Sequence, residues 1–363
     1  MLARTVSEIP EAYVWDEIDF VMGRFLDDER LEYLTTDRVG RGRALSREQR
    51  EGVLAVYDEY VAKLLKKGYV DSAEFVRVAY RLRSQGQPTQ DEYRAVIVDE
   101  VQDLSEIALR LLHSLVGNRR DGLLLVGDGT QRIFTRGYSL RGLGIEITGR
   151  GIILRKNYRN TRQILEAAFP LVAEEWKGEV QGAGGDPQLA EPVLSTREGP
   201  LPAIVRCKNL VHEARFIANE IRYLLRTERC QPREICVMAR NDQYRRMALA
   251  ALEQAGVPVI HYQAEKGDPL GNSDQVRVSS IHSAKGHEYV AVFLCGMADG
   301  IWPLKNTSDD DLQAERAVLY VGVTRARDHL YLSYSEIDGS GQDVKRSRFL
   351  NEIAAHCEEL LFP

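Results

Sequence analysis

The chain holds 363 residues with a formal net charge of −6; 44% of them are hydrophobic and 28% charged. Those values fit a folded globular protein of two or three domains and exclude collagen-like, low-complexity and disordered chains. A mildly acidic total also excludes a histone-like binder, although it leaves room for a local basic groove.

No run of about 18 apolar residues occurs, so no membrane span is predicted. The first twenty residues carry acids and no apolar h-region, which predicts no secretory leader. Five cysteines, an odd number without a C-x-x-C pair, predict reduced thiols and a cytoplasmic location. The seven histidines show no zinc-ligand spacing, so a catalytic metal is expected on carboxylates.

The first ninety residues read as helical. Ser46 and Gln49 form a capping-box pattern. Behind it Val53, Leu54, Tyr57, Tyr60, Val61, Leu64 and Leu65 recur at helical spacing, and Gly68 stops the run. A second helix is expected over 73–82. The pattern then changes. Residues 95–98 and 123–126 are short apolar runs, each ending in acids or Gly-Asp, with a helix expected over 104–115 between them. Such runs predict buried parallel strands, with the chemistry at their carboxyl ends. Residues 176–200 read as a Gly/Pro/Glu-rich loop. Beyond it, strands are expected over 203–206, 235–239, 276–281, 290–295 and 329–335. Helices are expected over 211–225, 243–254 and 311–321. This is a second α/β unit.

Five constellations carry chemistry. Asp99-Glu100-Val101-Gln102-Asp103 follows the first strand. Adjacent carboxylates there suit a magnesium-nucleotide site, one acid holding hydrated Mg2+ and the next taking a proton from water. A solvated acidic loop has the same composition. Gly127-Asp128-Gly129-Thr130-Gln131 follows the second strand. Gln131 could orient water or touch a phosphate, while the stretch also fits a plain turn. LRKNYRN (154–160), SIHSAKGHE (280–288) and LYVGVTRAR (319–327) each mix basic and aromatic side chains. Taken singly, each also fits a charged, solvated face.

Taken together and in this order, they resemble the superfamily 1 DNA helicases of the UvrD/Rep type. DEVQD is similar to motif II, LLLVGDGTQRIF to motif III, LRKNYRN to motif IV, VSSIHSAKGHEY to motif V and AERAVLYVGVTRARDHL to motif VI. The resemblance covers roughly residues 11–335. It implies an α/β fold of RecA-like P-loop NTPase architecture, with ATP in the cleft between two RecA-like domains. Residues 1–90 would be the helical insert of the first domain and 91–150 an incomplete first RecA-like domain. Residues 151–363 would be a complete second one. By the same resemblance Asp99 positions Mg2+, Glu100 is the general base, Gln131 senses the γ-phosphate, and Arg159 and Arg325 are arginine fingers. Tyr158 stacks on the adenine, Glu288 bonds the ribose, and Gly286 belongs to the same ATP-binding segment. Phe134 stacks on a base of single-stranded DNA, and Ser280 and His282 contact it.

The chain also departs from that pattern. It contains no Gly-Lys dipeptide, hence no G-x-x-x-x-G-K-[ST] phosphate-binding loop. The family places that loop ahead of the helical insert with which this chain begins. The expectation is a first sheet with an unpaired apolar edge, completed by a polypeptide segment that supplies the missing half, and little activity for the chain alone. The large subdomain that some members insert between motifs IV and V is expected to be absent or reduced to 176–200. The usual second aromatic of motif III is missing, with Tyr138 a substitute. Trp302-Pro303 reads best as a buried loop anchor. The resemblance thus implies a 3'-to-5' helicase or translocase; the alternative is a non-catalytic module that binds DNA or a partner.

Overall fold

The computed structural model describes residues 9–38, 43–86, 93–117, 119, 121–127, 140–146, 149–152, 154, 156–173, 195–261, 274–305, 307 and 309–363. By packing, the chain divides into two compact units, Met1–Arg150 and Gly151–Pro363.

The first unit opens with helices. α1 (Glu11–Arg24) buries Val14, Ile18, Val21 and Met22, a three-and-four spacing that turns one stripe to the core. α2 (Arg47–Lys67) begins with the expected capping box: Gln49 N–H donates to Ser46 Oγ at 3.2 Å and Ser46 N–H to Gln49 Oε1 at 2.9 Å. It ends at Gly68. α3 (Ser72–Ser84) starts from Asp71, whose carboxylate accepts from Ala73 N–H. Phe25, Tyr33, Val53, Leu54 and Tyr57 fill the helical core.

β1 (Val96–Val98) follows, then a 3-10 turn (Val101–Asp103), α4 (Glu106–Val116) and β2 (Leu123–Leu125). The two strands pair in parallel, Ile97 opposite Leu124. Parallel strands are normally covered on both faces. Here Ile97 is 73% exposed and Leu124 55%, and among the described residues no third strand joins them. Ile97 and Leu124 thus leave one apolar face of this sheet exposed.

The second unit runs α5 (Arg162–Ala168), β3 (Ala203–Cys207), α6 (Leu210–Arg226), β4 (Ile235–Ala239), α7 (Asp242–Gln254), β5 (Val259–His261) and β6 (Val276–Ser279). It continues with α8 (Ile281–Ala284), β7 (Tyr289–Cys295), α9 (Asp309–Thr324), β8 (Ala326–Ser335), α10 (Arg348–Ile353) and β9 (Glu358–Phe362). Seven strands form one sheet in the order β5-β6-β4-β7-β8-β3-β9, and every pairing is parallel. The central strands β4 and β7 are buried along their whole length, which is why they read as unbroken apolar runs.

The strand expected over 276–281 stops at Ser279, because Ser280 turns its hydroxyl to the N–H of Ser283 and caps α8. Trp302 is fully buried, with its carbonyl accepting from Ser347 Oγ at 2.6 Å, the anchoring place expected of it. Of the loop expected over 176–200, residues 176–194 lie outside the described residues.

Candidate functional site

In the first unit the acids Asp99 and Glu100 stand at the carboxyl end of β1. Asp99 is exposed and accepts from the Glu100 N–H at 2.9 Å. Glu100 is half-buried with φ 52, in the left-handed region. For a residue with a Cβ that conformation costs about 1–2 kcal/mol, and such strain concentrates at functional sites. The turn is held from both sides. Val101 N–H donates to Val126 O at 3.0 Å, and Val126 N–H to Val98 O at 2.8 Å. The Gln102 side-chain amide donates to Glu100 Oε2.

That arrangement needs a glycine at 127. A Cβ there would lie 2.5 Å from Gln102 Oε1 and 2.7 Å from Val101 Cγ1. Gly127→Ala is therefore expected to displace Gln102 and destabilise the first unit by about 1–3 kcal/mol. Urea unfolding of the variant against the wild type reads this directly; an unchanged transition would mean that the loop yields freely. Gln131 and Phe134, with Tyr138, lie outside the described residues.

The donor set fits Mg2+. That ion takes one or two carboxylates and fills its remaining positions with water and phosphate oxygens. An exposed Asp99 beside a held Glu100 offers hard oxygen donors of that kind. Among the described residues no group of three or more His, Cys, Asp and Glu side chains converges on a metal position. An all-protein cage is thus not on offer there.

In the second unit the expected residues form two groups at opposite ends of the sheet. Ser280 and His282 sit at the carboxyl end of β6. The Ser280 hydroxyl caps α8 and lies 3.0 Å from Ser283 Oγ. His282 is exposed on one side. Packing on its other side, and then the Arg240 charge, hold its imidazole below the ordinary value; Lys285 acts the same way and Glu315 against it. A neutral imidazole can accept as well as donate a hydrogen bond.

The other group gathers at the amino ends of β7 and β8. Arg159 Nε lies 2.6 Å from Glu288 Oε2. An Asx turn shapes this corner: the N–H groups of Arg159 and Asn160 donate to Asn157 Oδ1 at 2.8 and 2.9 Å. The buried Asn160 amide donates to Thr324 O at 2.9 Å and Ala326 O at 2.6 Å, straddling Arg325. Arg325 is 1% exposed, and its guanidinium donates to Val321 O at 3.1 Å and His287 O at 3.3 Å. Gly286 takes φ +81, a conformation that side chains rarely adopt, and turns the chain towards Glu288. Tyr158 is 71% exposed, open to a stacking partner.

The structure thus brings Arg159, Gly286, Glu288 and Arg325 to one corner and places Ser280 and His282 at the other end of the sheet. Gln102, Gly127, Asn157 and Asn160 do as much to set this geometry as the expected residues. All four stand inside stretches that the sequence singles out, but without the roles that the structure gives them.

Residues 152–267 and 263–337 match the UvrD-like helicase C-terminal domain, and residues 24–143 match the UvrD/REP helicase N-terminal domain. The chain belongs to the UvrD/REP helicase family. Its α/β fold with a parallel sheet is the fold expected of these domains. It is 27% identical over 413 aligned positions to the ATP-dependent DNA helicase UvrD2 of Mycobacterium tuberculosis (strain ATCC 25618 / H37Rv), over 83% of this chain and 57% of that protein. The chain thus spans little more than half of that relative. DNA helicase II of Escherichia coli (strain K12) is 38% identical over 106 residues, 27% of this chain and 15% of that protein. A solved C-terminal domain of a possible DNA helicase from Lactobacillus plantarum WCFS1 is similar at a TM-score of 0.39 and 20% identity, over 57% of this chain and 99% of that one. Among the described residues no helix is long and apolar enough to cross a membrane.

Proposed function

We propose that this UvrD/REP family chain is the motor portion, from the helical insert onwards, of an ATP-dependent 3'-to-5' helicase or translocase acting on single-stranded DNA. The observation that carries this reading is the strained Glu100, held by Gln102 beside an exposed Asp99 at a strand's carboxyl end.

In this reading Asp99 holds Mg2+, which supplies neutralising charge at the phosphates. Glu100 accepts a proton from the attacking water, and Gln131 senses the γ-phosphate. Arg159, and Arg325 once its guanidinium leaves the Val321 and His287 carbonyls, stabilise the negative charge that spreads over the γ-phosphoryl oxygens in the transition state. Arg159 is paired with Glu288, so a nucleotide bound there would compete with that ion pair for both side chains. Tyr158 stacks on the adenine, and Gly286 lets Glu288 reach the ribose. Phe134, Ser280 and His282 face the DNA. The alignment to UvrD2 is longer than this chain. That requires inserted positions in the relative. The exposed faces of Ile97 and Leu124 support completion of the first sheet by a segment that carries the phosphate-binding loop.

A second reading rests on one observation, the lack of any Gly-Lys dipeptide: a helicase-shaped module that binds DNA or a partner without hydrolysing ATP. Both readings that involve DNA share one expected result. Affinity of the chain for a fluorescent oligo-dT should fall log-linearly with salt, with a slope of about −0.7 per phosphate neutralised. A flat response removes the nucleic-acid assignment. ATP turnover in the chain supplied with a phosphate-loop segment separates the two: turnover supports the motor, and its absence with DNA binding intact supports the module.

A further inference from the structure

α9 links the two ends of the second unit's sheet. It starts after β7 at the carboxyl end and returns to the amino end, where β8 begins. Its last turn carries the corner that holds Arg325: Asn160 bonds the carbonyls on both sides, and Arg325 itself bonds His287 O. About 15 Å back along the axis, at a rise of 1.5 Å per residue, stands Glu315. It is 8% exposed and bound by a single partner side chain through both oxygens. That partner is Arg240, the residue that follows β4. Its Nε lies 2.9 Å from Oε2 and 3.1 Å from Oε1, and Nη2 lies 2.6 Å from Oε1.

β4 is the neighbour of β6, so Arg240 and α8 leave adjacent strand ends, and α8 packs against α9. A bidentate guanidinium–carboxylate pair fixes orientation as well as distance. Because it is largely withdrawn from water, breaking one partner leaves an uncompensated charge. We infer that Arg240 and Glu315 are positioning residues that clamp α9 to the end of β4, beside the α8 segment that carries His282, so that nucleic acid bound at that segment is felt through α9 at Arg325. The inference rests on the motor reading above and adds the device that couples its two ends. The electrostatic surroundings of His282 agree with this placement: Arg240, Lys285 and Glu315 all act on the imidazole.

Two measurements test it. The first needs no nucleotide. His282 is one of seven histidines, and its imidazole resonance in the 363-residue chain is assigned by its loss in His282→Gln. Arg240→Gln should raise the His282 pKa, and Glu315→Gln should lower it further. Shifts of the same sign, or none, overturn the clamp. The second reads ATP turnover with and without oligo-dT in the chain joined to a phosphate-loop segment. Glu315→Gln should leave unstimulated turnover within about twofold and cut the DNA-stimulated rate roughly tenfold, the size expected for lost coupling. The exchanged variant R240E/E315R should recover part of it. Equal loss of both rates, or retention of full stimulation, overturns the clamp alone. A wild type that turns over ATP without DNA stimulation removes the coupling and the motor reading together.

Discussion

Glu100→Gln is expected to abolish ATP hydrolysis in the chain supplied with a phosphate-loop segment, by about two to four orders of magnitude. It should leave DNA affinity unchanged. The substitution is informative because it changes so little else. Glutamine is isosteric and keeps a side-chain oxygen, so the Gln102 amide retains its acceptor. The left-handed backbone at position 100 is under the same constraint, since Val101 N–H still bonds Val126 O. What disappears is a group that can take a proton from water. Single-turnover hydrolysis, measured beside binding of a fluorescent nucleotide, makes the distinction. Lost turnover with retained nucleotide binding marks Glu100 as the base. Retained turnover means that another group does that work and removes Glu100 from the mechanism. A fall in both would indicate a collapsed turn, a result that Gln102→Ala should then reproduce.

The second large effect concerns stability and its dependence on pH. Glu213, in the first turn of α6, is fully buried. Its Oε1 accepts from Gly296 N–H and from Ser333 Oγ, both at 2.8 Å, and so ties the helix to the ends of β7 and β8. Burial raises its pKa above the ordinary carboxyl value, against the opposing effect of bonds from Gly296, Ser333 and Ser335. A carboxyl whose folded pKa is raised contributes stability that is complete below the unfolded pKa. That stability is lost as pH climbs through the folded value. The wild type should therefore lose up to about 1.4 kcal/mol per pH unit from this group within that window.

Glu213→Gln keeps an acceptor for Gly296 and Ser333 and has no proton to lose. The buried hydroxyls of Ser335 and Tyr244 adjoin the site and can accept from its amide. Urea midpoints of the two proteins should diverge as pH rises above the ordinary carboxyl range, with the variant increasingly the more stable. Glu213→Ala instead strands the Gly296 N–H and should cost about 1–3 kcal/mol at acid pH, a deficit that narrows as the wild-type carboxyl ionises. Parallel pH profiles for wild type and Glu213→Gln would show that the carboxyl ionises alike in folded and unfolded chains.

Local chemistry was enough to read much of this molecule. A capping box, apolar runs ended by acids, and three-and-four spacings depend on neighbours within a few residues, and they placed α2, β1, β2, β4, β7 and β8 close to where they lie. The order of five short motifs sufficed for the family. The short strand β5 and the edge strand β9 carry little pattern of their own; the sheet to which they add decides them. Only tertiary structure put the corner proposed for nucleotide at the amino ends of β7 and β8, because Arg159 and Arg325 meet there through Asn160 across 164 and 166 residues of sequence. It also turned Glu213, in sequence an ordinary first-turn acid, into a buried carboxyl, and joined Arg240 to Glu315 over 75 residues. The physical reason is the same in each case. Backbone propensity and periodicity are encoded locally, whereas burial and the choice of a charged partner are settled only when strands distant in sequence become neighbours in one sheet.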